Sequence, residues 1–141
     1  MKALILIVVL FLSISSAIAD ENTFSYHFGG WSSHFVSGDF NESHQFHLIE
    51  YKSVIAGTFT NSYDNRAAIL AYNFSKDYGQ HIRVGVLAGG VTGYNRGEVR
   101  AVDCADICPV LAPYVATRGF PVNLSLTAFG DGVLFTLRID F

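Results

Sequence analysis

The chain closes on Val133-Leu134-Phe135-Thr136-Leu137-Arg138-Ile139-Asp140-Phe141. Val133, Phe135, Leu137, Ile139 and Phe141 share one face of an extended strand, and Thr136, Arg138 and Asp140 share the other. Only Leu134 breaks the alternation. A soluble sheet with one face in a core carries this pattern. So does a strand that crosses a membrane, with its apolar set toward lipid and its polar set toward a lumen. A last strand that ends on Phe is also how bacterial outer-membrane barrels usually finish. The rest of the chain separates the two readings.

The other end speaks to compartment. Met1-Lys2 gives a positive start, 3–12 is unbroken apolar sequence, and Ala17-Ile18-Ala19 has the small-x-small form of a cleavage site before Asp20. Residues 1–19 therefore read as a secretory signal peptide. The apolar run is shorter than the ~20 residues of a spanning helix, and no basic stop follows it. Removal leaves 20–141, about 122 residues, enough for a single domain. Loss of Lys2 leaves eight basic against twelve acidic residues, a net charge of −4. No basic patch marks a nucleic-acid surface. Cys104 and Cys108 are the only cysteines, and in an exported chain they read as a disulfide. So short a ring adds about 2 kcal/mol at most, so its role is to shape a loop. A zinc site would need two further ligands, and none lies close in sequence.

No helical period of useful length is present. Eight strand-like runs rich in Val, Ile, Thr, Tyr and Phe are predicted at 22–35, 44–51, 54–62, 66–75, 80–94, 109–117, 121–129 and 132–141. The long joints, 36–43 and 95–108, both follow odd-numbered strands, so in an up-and-down meander both lie on one rim. Outer-membrane barrels have this asymmetry of long outer loops and short periplasmic turns. The expectation is an all-β, eight-stranded antiparallel up-and-down outer-membrane β-barrel. A soluble lipocalin-like barrel would invert the facing, and alternation alone does not separate the two.

In the outer-membrane version Ala68, Leu70, Tyr72 and Phe74 face outward, as do Ile82, Val84 and Val86. Arg83, Gly85, Leu87 and Gly89 then face inward, since a basic side chain at mid-depth in lipid costs about 2–4 kcal/mol. Inward Gly85 and Gly89, with Ala56 and Thr58, would leave room for an apolar tunnel. The alternative is that these glycines ease strand curvature. Proline gives no N–H to a ladder, so Pro109, Pro113 and Pro121 weaken pairing between two neighbouring strands. This is either a lateral gate for lipid or, for Pro109 and Pro121, simply a strand start.

Pro109-Val110-Leu111-Ala112-Pro113, followed seven residues later by Pro121-Val122, resembles the outer-membrane lipid A palmitoyltransferases, the PagP family. Gly89-Gly90-Val91-Thr92 is similar to that family's A-G-V-T, Phe59-Thr60-Asn61-Ser62-Tyr63 to its F-x-D-S-W, and Trp31 to His34 to its W-H near the end of the first strand. The resemblance implies an eight-stranded barrel that moves a palmitoyl group from a phospholipid to lipid A, the anchor of lipopolysaccharide, at the outer rim. It implies one acyl chain inside the barrel and lipid access where prolines interrupt the ladder. Two departures stand out. The family's leading amphipathic helix has no counterpart in the few residues before the first strand, and Asn61 stands where the family has Asp.

Strand counting places His34 and Ser62 at the same rim, because both end strands that run outward. A histidine suits the base of an acyl transfer and a hydroxyl its partner. The predicted catalytic set is His34, Ser62 and, as a polar helper, Asn61. Substrate-binding positions are Gly85, Gly89, Pro109, Pro113 and Pro121. A solvated rim histidine and a plain turn serine are the alternatives for His34 and Ser62. Asp39 or Asp64 could stand in for the missing acid. His44 and His47 are three apart on a strand and point to opposite faces, so no metal is expected. No cofactor is expected either, and the expected partners are phospholipid and lipid A in the outer membrane. The rival readings are a non-catalytic structural or adhesive barrel and a soluble periplasmic barrel that carries a hydrophobic ligand.

Overall fold

A computed structural model describes residues 24–99 and 104–141. The expected signal peptide, 1–19, lies outside the described residues, as do the residues that link it to the first strand. The strands are β1 (Phe24–His34), β2 (Ser43–Tyr51), β3 (Val54–Thr60), β4 (Arg66–Tyr78), β5 (Ile82–Val91), β6 (Cys108–Thr117), β7 (Asn123–Phe129) and β8 (Gly132–Asp140). Each pairs antiparallel with its neighbour in sequence, and β8 returns to β1, which closes the barrel. Ser25 sits opposite Asp140, so the first strand starts and the last one ends at the same rim. The connections 52–53, 79–81 and 118–122 lie on that turn rim. The connections 35–42, 61–65 and 130–131, and the described parts of the one between β5 and β6 (92–99 and 104–107), lie on the opposite, loop rim.

Local chemistry explains where the strands stop. Lys52 and Ser53 both take positive φ, as a two-residue hairpin turn needs to follow the strand twist. β3 ends at Thr60, short of the predicted Ser62, because the Asn61 side chain captures the N–H groups of Tyr63 and Asn65. β4 runs past the predicted Ser75 to Tyr78, with Asp77 paired across the ladder to Arg83. β7 begins at Asn123, whose amide bonds both the N–H and the C=O of Phe120 and so closes the preceding turn.

The faces follow the membrane version of the pattern. In β4, Ala67, Ile69, Ala71, Asn73 and Ser75 are buried while Ala68, Leu70, Tyr72 and Phe74 are exposed. Leu70 is 63% exposed, and Ile49, Leu111 and Leu124 belong to the same outer belt. In β8, Thr136 and Arg138 point inward, and Leu134 joins them. The residue that broke the alternation thus faces an apolar part of the lumen. One facing expectation is corrected: Ala56 and Thr58 point outward, because Ile55 and Phe59 are the buried set of β3. Among the described residues no helix is long and apolar enough to cross a membrane. A closed barrel with a greasy exterior and a largely hydrogen-bonded backbone is compatible with an outer-membrane protein.

The lumen has two halves. Toward the loop rim it is lined by Phe46, Leu48, Ile55, Phe59, Ile69 and Val110. Toward the turn rim it is filled by a hydrogen-bonded polar cluster. His27 Nε2 lies 2.9 Å from a Glu50 oxygen, Asn73 donates to the other at 2.7 Å, and the Tyr114 hydroxyl donates to Asn73 at 2.9 Å. Arg138, 1% exposed, donates to Asp140 at 3.1 Å. Buried polar groups persist only when paired in this way.

Candidate functional site

The site begins with an irregularity in β1. Ser25 and His27 face the lumen, and strict alternation would put Trp31 and Ser33 there as well. Gly29 and Gly30 instead take positive φ, 74° and 114°, and the register against β8 slips between Phe28 and Trp31. This is a β-bulge, a device that re-aims the side chains beyond it. Trp31 turns outward, 51% exposed, and Ser32 and His34 turn in. A Cβ on Gly30 would run into the Phe46 ring, so the bulge also needs the bare backbone.

His34 Nε2 comes to 3.1 Å from Ser62 Oγ. Its ring stacks on Phe40, centroids 4.1 Å apart and planes within 14°. Asn41 N–H donates to the Ser62 carbonyl at 2.9 Å, which ties the two loops together. Beside the pair, His44 Nδ1 lies 2.8 Å from the Thr60 carbonyl and its Nε2 2.6 Å from Ser32 Oγ. A carbonyl can only accept, so Nδ1 carries the proton and Nε2 accepts from Ser32. His44 is thereby committed to holding β1 against β3. His47 points outward, 2.6 Å from the Tyr26 hydroxyl. Among the described residues no group of His, Cys, Asp and Glu is arranged to hold a metal ion.

Asn61 sits next to Ser62 but aims elsewhere. It is 0% exposed. Its Oδ1 accepts from Tyr63 N–H (2.9 Å) and Asn65 N–H (3.0 Å), and its Nδ2 donates to the Gly93 carbonyl (2.7 Å). The side chain is a clamp for the 61–65 loop, and an Asp there would lose the Gly93 bond. His34 Nδ1 is buried with no hydrogen-bond partner among the described residues, so neither Asp39 nor Asp64 orients the imidazole.

Below the pair lies the apolar half of the lumen, which opens to the loop rim as a cavity with mostly apolar walls. Its mouth carries His34 and Ser62, and its floor is His27, Asn73, Tyr114 and Arg138. Tyr94, from the 92–107 loop, covers one side, and burial raises its phenol above the ordinary value, with Tyr63 and Glu98 adding to the effect. The predicted Cys104–Cys108 disulfide is formed. It anchors the end of the same loop to the apolar cluster.

The predicted substrate-binding residues fall in other places. Gly85 faces inward, but the Tyr114 ring occupies the space its side chain leaves. A Cβ on Gly89 would collide with the backbone of Leu70 and Ala71, so this glycine permits strand curvature and does not line the cavity. Pro109 and Pro113 point outward from β6, and Pro121 lies in the 118–122 turn at the far rim. The ladder around them is nonetheless uneven. β5 and β6 pair through ten residues, whereas β6 and β7 pair only through Tyr114, Val115 and Ala116. Pairing stops one residue after Pro113, which leaves a lateral seam on the cavity side.

No protein-family model matches the chain, and no curated protein matches it. The geometry itself therefore carries the functional argument. Sequence reasoning brought His34 and Ser62 to one rim by counting strands. It missed Phe40, the Ser32–His44 bond and the polar floor, all of which depend on contacts between distant strands. The Gly29-Gly30 pair inside a strand was a readable signal of the bulge.

Proposed function

We propose that the chain is an outer-membrane acyltransferase resembling the lipid A palmitoyltransferases, moving an acyl chain from a phospholipid to lipid A or another lipid acceptor. The observation that carries this reading is the 3.1 Å contact between His34 Nε2 and Ser62 Oγ at the mouth of an apolar cavity. A hydroxyl beside an imidazole is a nucleophile and its base. The cavity accepts the acyl chain of the ester that the pair attacks.

The chemistry runs in two halves. Ser62 Oγ attacks the ester carbonyl while His34 Nε2 takes its proton. The lysophospholipid alkoxide leaves and receives that proton, and Ser62 holds the acyl group. The acceptor hydroxyl then gives its proton to His34 and attacks acyl-Ser62, and Ser62 recovers a proton from the imidazolium. One ester is broken and one is made, so the balance needs no cofactor. The polar floor limits how deep the chain reaches, because a methyl end meeting Asn73 and Arg138 gains nothing from burial. The unpaired stretch between β6 and β7 supports lateral access for lipid from the membrane.

A second reading, a non-catalytic barrel, draws on the unpartnered His34 Nδ1 and the structural role of Asn61. The soluble carrier has no such support, because the exterior is apolar. Mass spectrometry of lipid A from cells that express the chain separates the first two. The enzyme adds the mass of one acyl chain, and His34→Ala and Ser62→Ala each lower that product on the order of 10²–10⁴-fold. An unchanged lipid A profile in a competent host would favour the inert barrel.

A further inference from the structure

Outside the His34–Ser62 pair lies a second cleft that acyl binding does not use. Its walls are successive rings. His34 lies flat on Phe40, Phe40 meets Tyr63 at 77° with centroids 5.8 Å apart, and Tyr63 meets Tyr94 at 84° and 6.3 Å. Two near-right-angle turns present ring faces and edges around one space. Glu98 and Asp131 join the lining, beside apolar Val99 and Phe129. The Glu98 carboxylate is fixed by Asn95, which donates its N–H at 2.7 Å and its side-chain amide at 2.9 Å. Tyr63 in turn donates its hydroxyl to the Glu98 carbonyl at 2.9 Å. Among the described residues that line the cleft, His34 is the only basic side chain.

The cleft and the acyl cavity share His34, Ser62, Tyr94 and Phe129. An ester carbonyl at Ser62 would thus have its hydrocarbon on one side and its headgroup on the other. Aromatic faces attract a cation, most strongly where water is excluded, and two carboxylates add to that attraction while disfavouring an anion. We infer that the outer cleft binds the ammonium end of a phospholipid headgroup, of the phosphoethanolamine or phosphocholine type, and selects against a glycerol-headed lipid. The assignment of that headgroup to the acyl donor rests on the acyl-transfer reading. The cleft's preference for ammonium does not.

The mature chain folded in maltoside micelles, which carry no ammonium group, provides the test. Glycerophosphoethanolamine, glycerophosphocholine and glycerophosphoglycerol share one phosphodiester and differ at the tip. Titrated against the ring resonances of Phe40, Tyr63 and Tyr94, the first two should bind on the order of tenfold more tightly than the third. The combined Glu98→Gln and Asp131→Asn variant should bring the three together, and Tyr63→Leu should weaken the two ammonium probes alone. Heat-modifiable gel migration checks that each variant is folded. Equal binding of all three probes, or binding of none, overturns the inference. Release of lysophospholipid is scored separately. Selective binding without any release would defeat the acyl-transfer reading and leave the cleft's preference standing.

Discussion

Glu50 is the residue on which the polar half of the lumen turns. Its two oxygens accept from His27 and Asn73, and Asn73 in turn accepts from Tyr114. Glu50→Ala would leave buried donors without acceptors, and breaking such a cluster costs about 3–5 kcal/mol. The unfolding midpoint in urea, followed in micelles, should fall accordingly, and an unchanged midpoint would show that water fills the gap. Asn61 offers a different test. Asn61→Ala removes three side-chain hydrogen bonds, each worth about 0.5–1.5 kcal/mol. It should lower acyl transfer through a displaced Ser62, and Asn61→Asp, which keeps the two N–H bonds and loses only the one to Gly93, should lower it less. At this scale the sequence was only partly legible. Strand ends placed His34 and Ser62 at one rim, but a side chain such as Asn61 shows its role only once its partners, Gly93 among them, are brought to it by other strands.

Among the elements, β1 and β6 carry the two irregularities that make a filled barrel into a receptacle. Gly29→Val combined with Gly30→Val would disfavour the positive φ of the bulge, and a regular strand of unchanged length would turn Ser32 and His34 toward lipid. The barrel should still show heat-modifiable migration while acyl transfer disappears, and retained transfer would mean that His34 acts from another position. Pro113→Ala restores a backbone N–H where the β6–β7 ladder stops. Amide exchange in β7 near Ala128 should slow, and transfer should fall by up to about tenfold, the equivalent of one hydrogen bond closing the seam. Strand number, order and most boundaries were readable from alternation and turn residues, because a closed barrel with an apolar exterior imposes the period-two pattern on every strand. The prolines announced weak pairing but not its side, since sequence does not say which neighbour a missing N–H would have faced. The inward glycines misled for a related reason: Gly85 and Gly89 make way for a ring and a neighbouring backbone, both of which lie on other strands.

For the whole molecule, the apolar belt and the lumen impose opposite rules on the same strand. Leu70, exposed near the middle of β4, and Ile69, buried beside it, are adjacent in sequence. Leu70→Arg places a charge in hydrocarbon and should cost about 2–4 kcal/mol, read as a lower yield of folded barrel in lipid vesicles. A barrel equally well folded in vesicles with that change would argue that this face meets something other than lipid. Closure has its own consequence. The first ladder rung, Ser25 with Asp140, joins residues from opposite extremes of the chain, so no intermediate short of the last strand can be free of unsatisfied edges. Such edges template aggregation, and contacts this remote in sequence form slowly. The polypeptide must therefore be escorted, with its ends kept apart from strangers, until its final strand has arrived, and a molecule shortened by that one strand should accumulate as insoluble material rather than as a smaller pore.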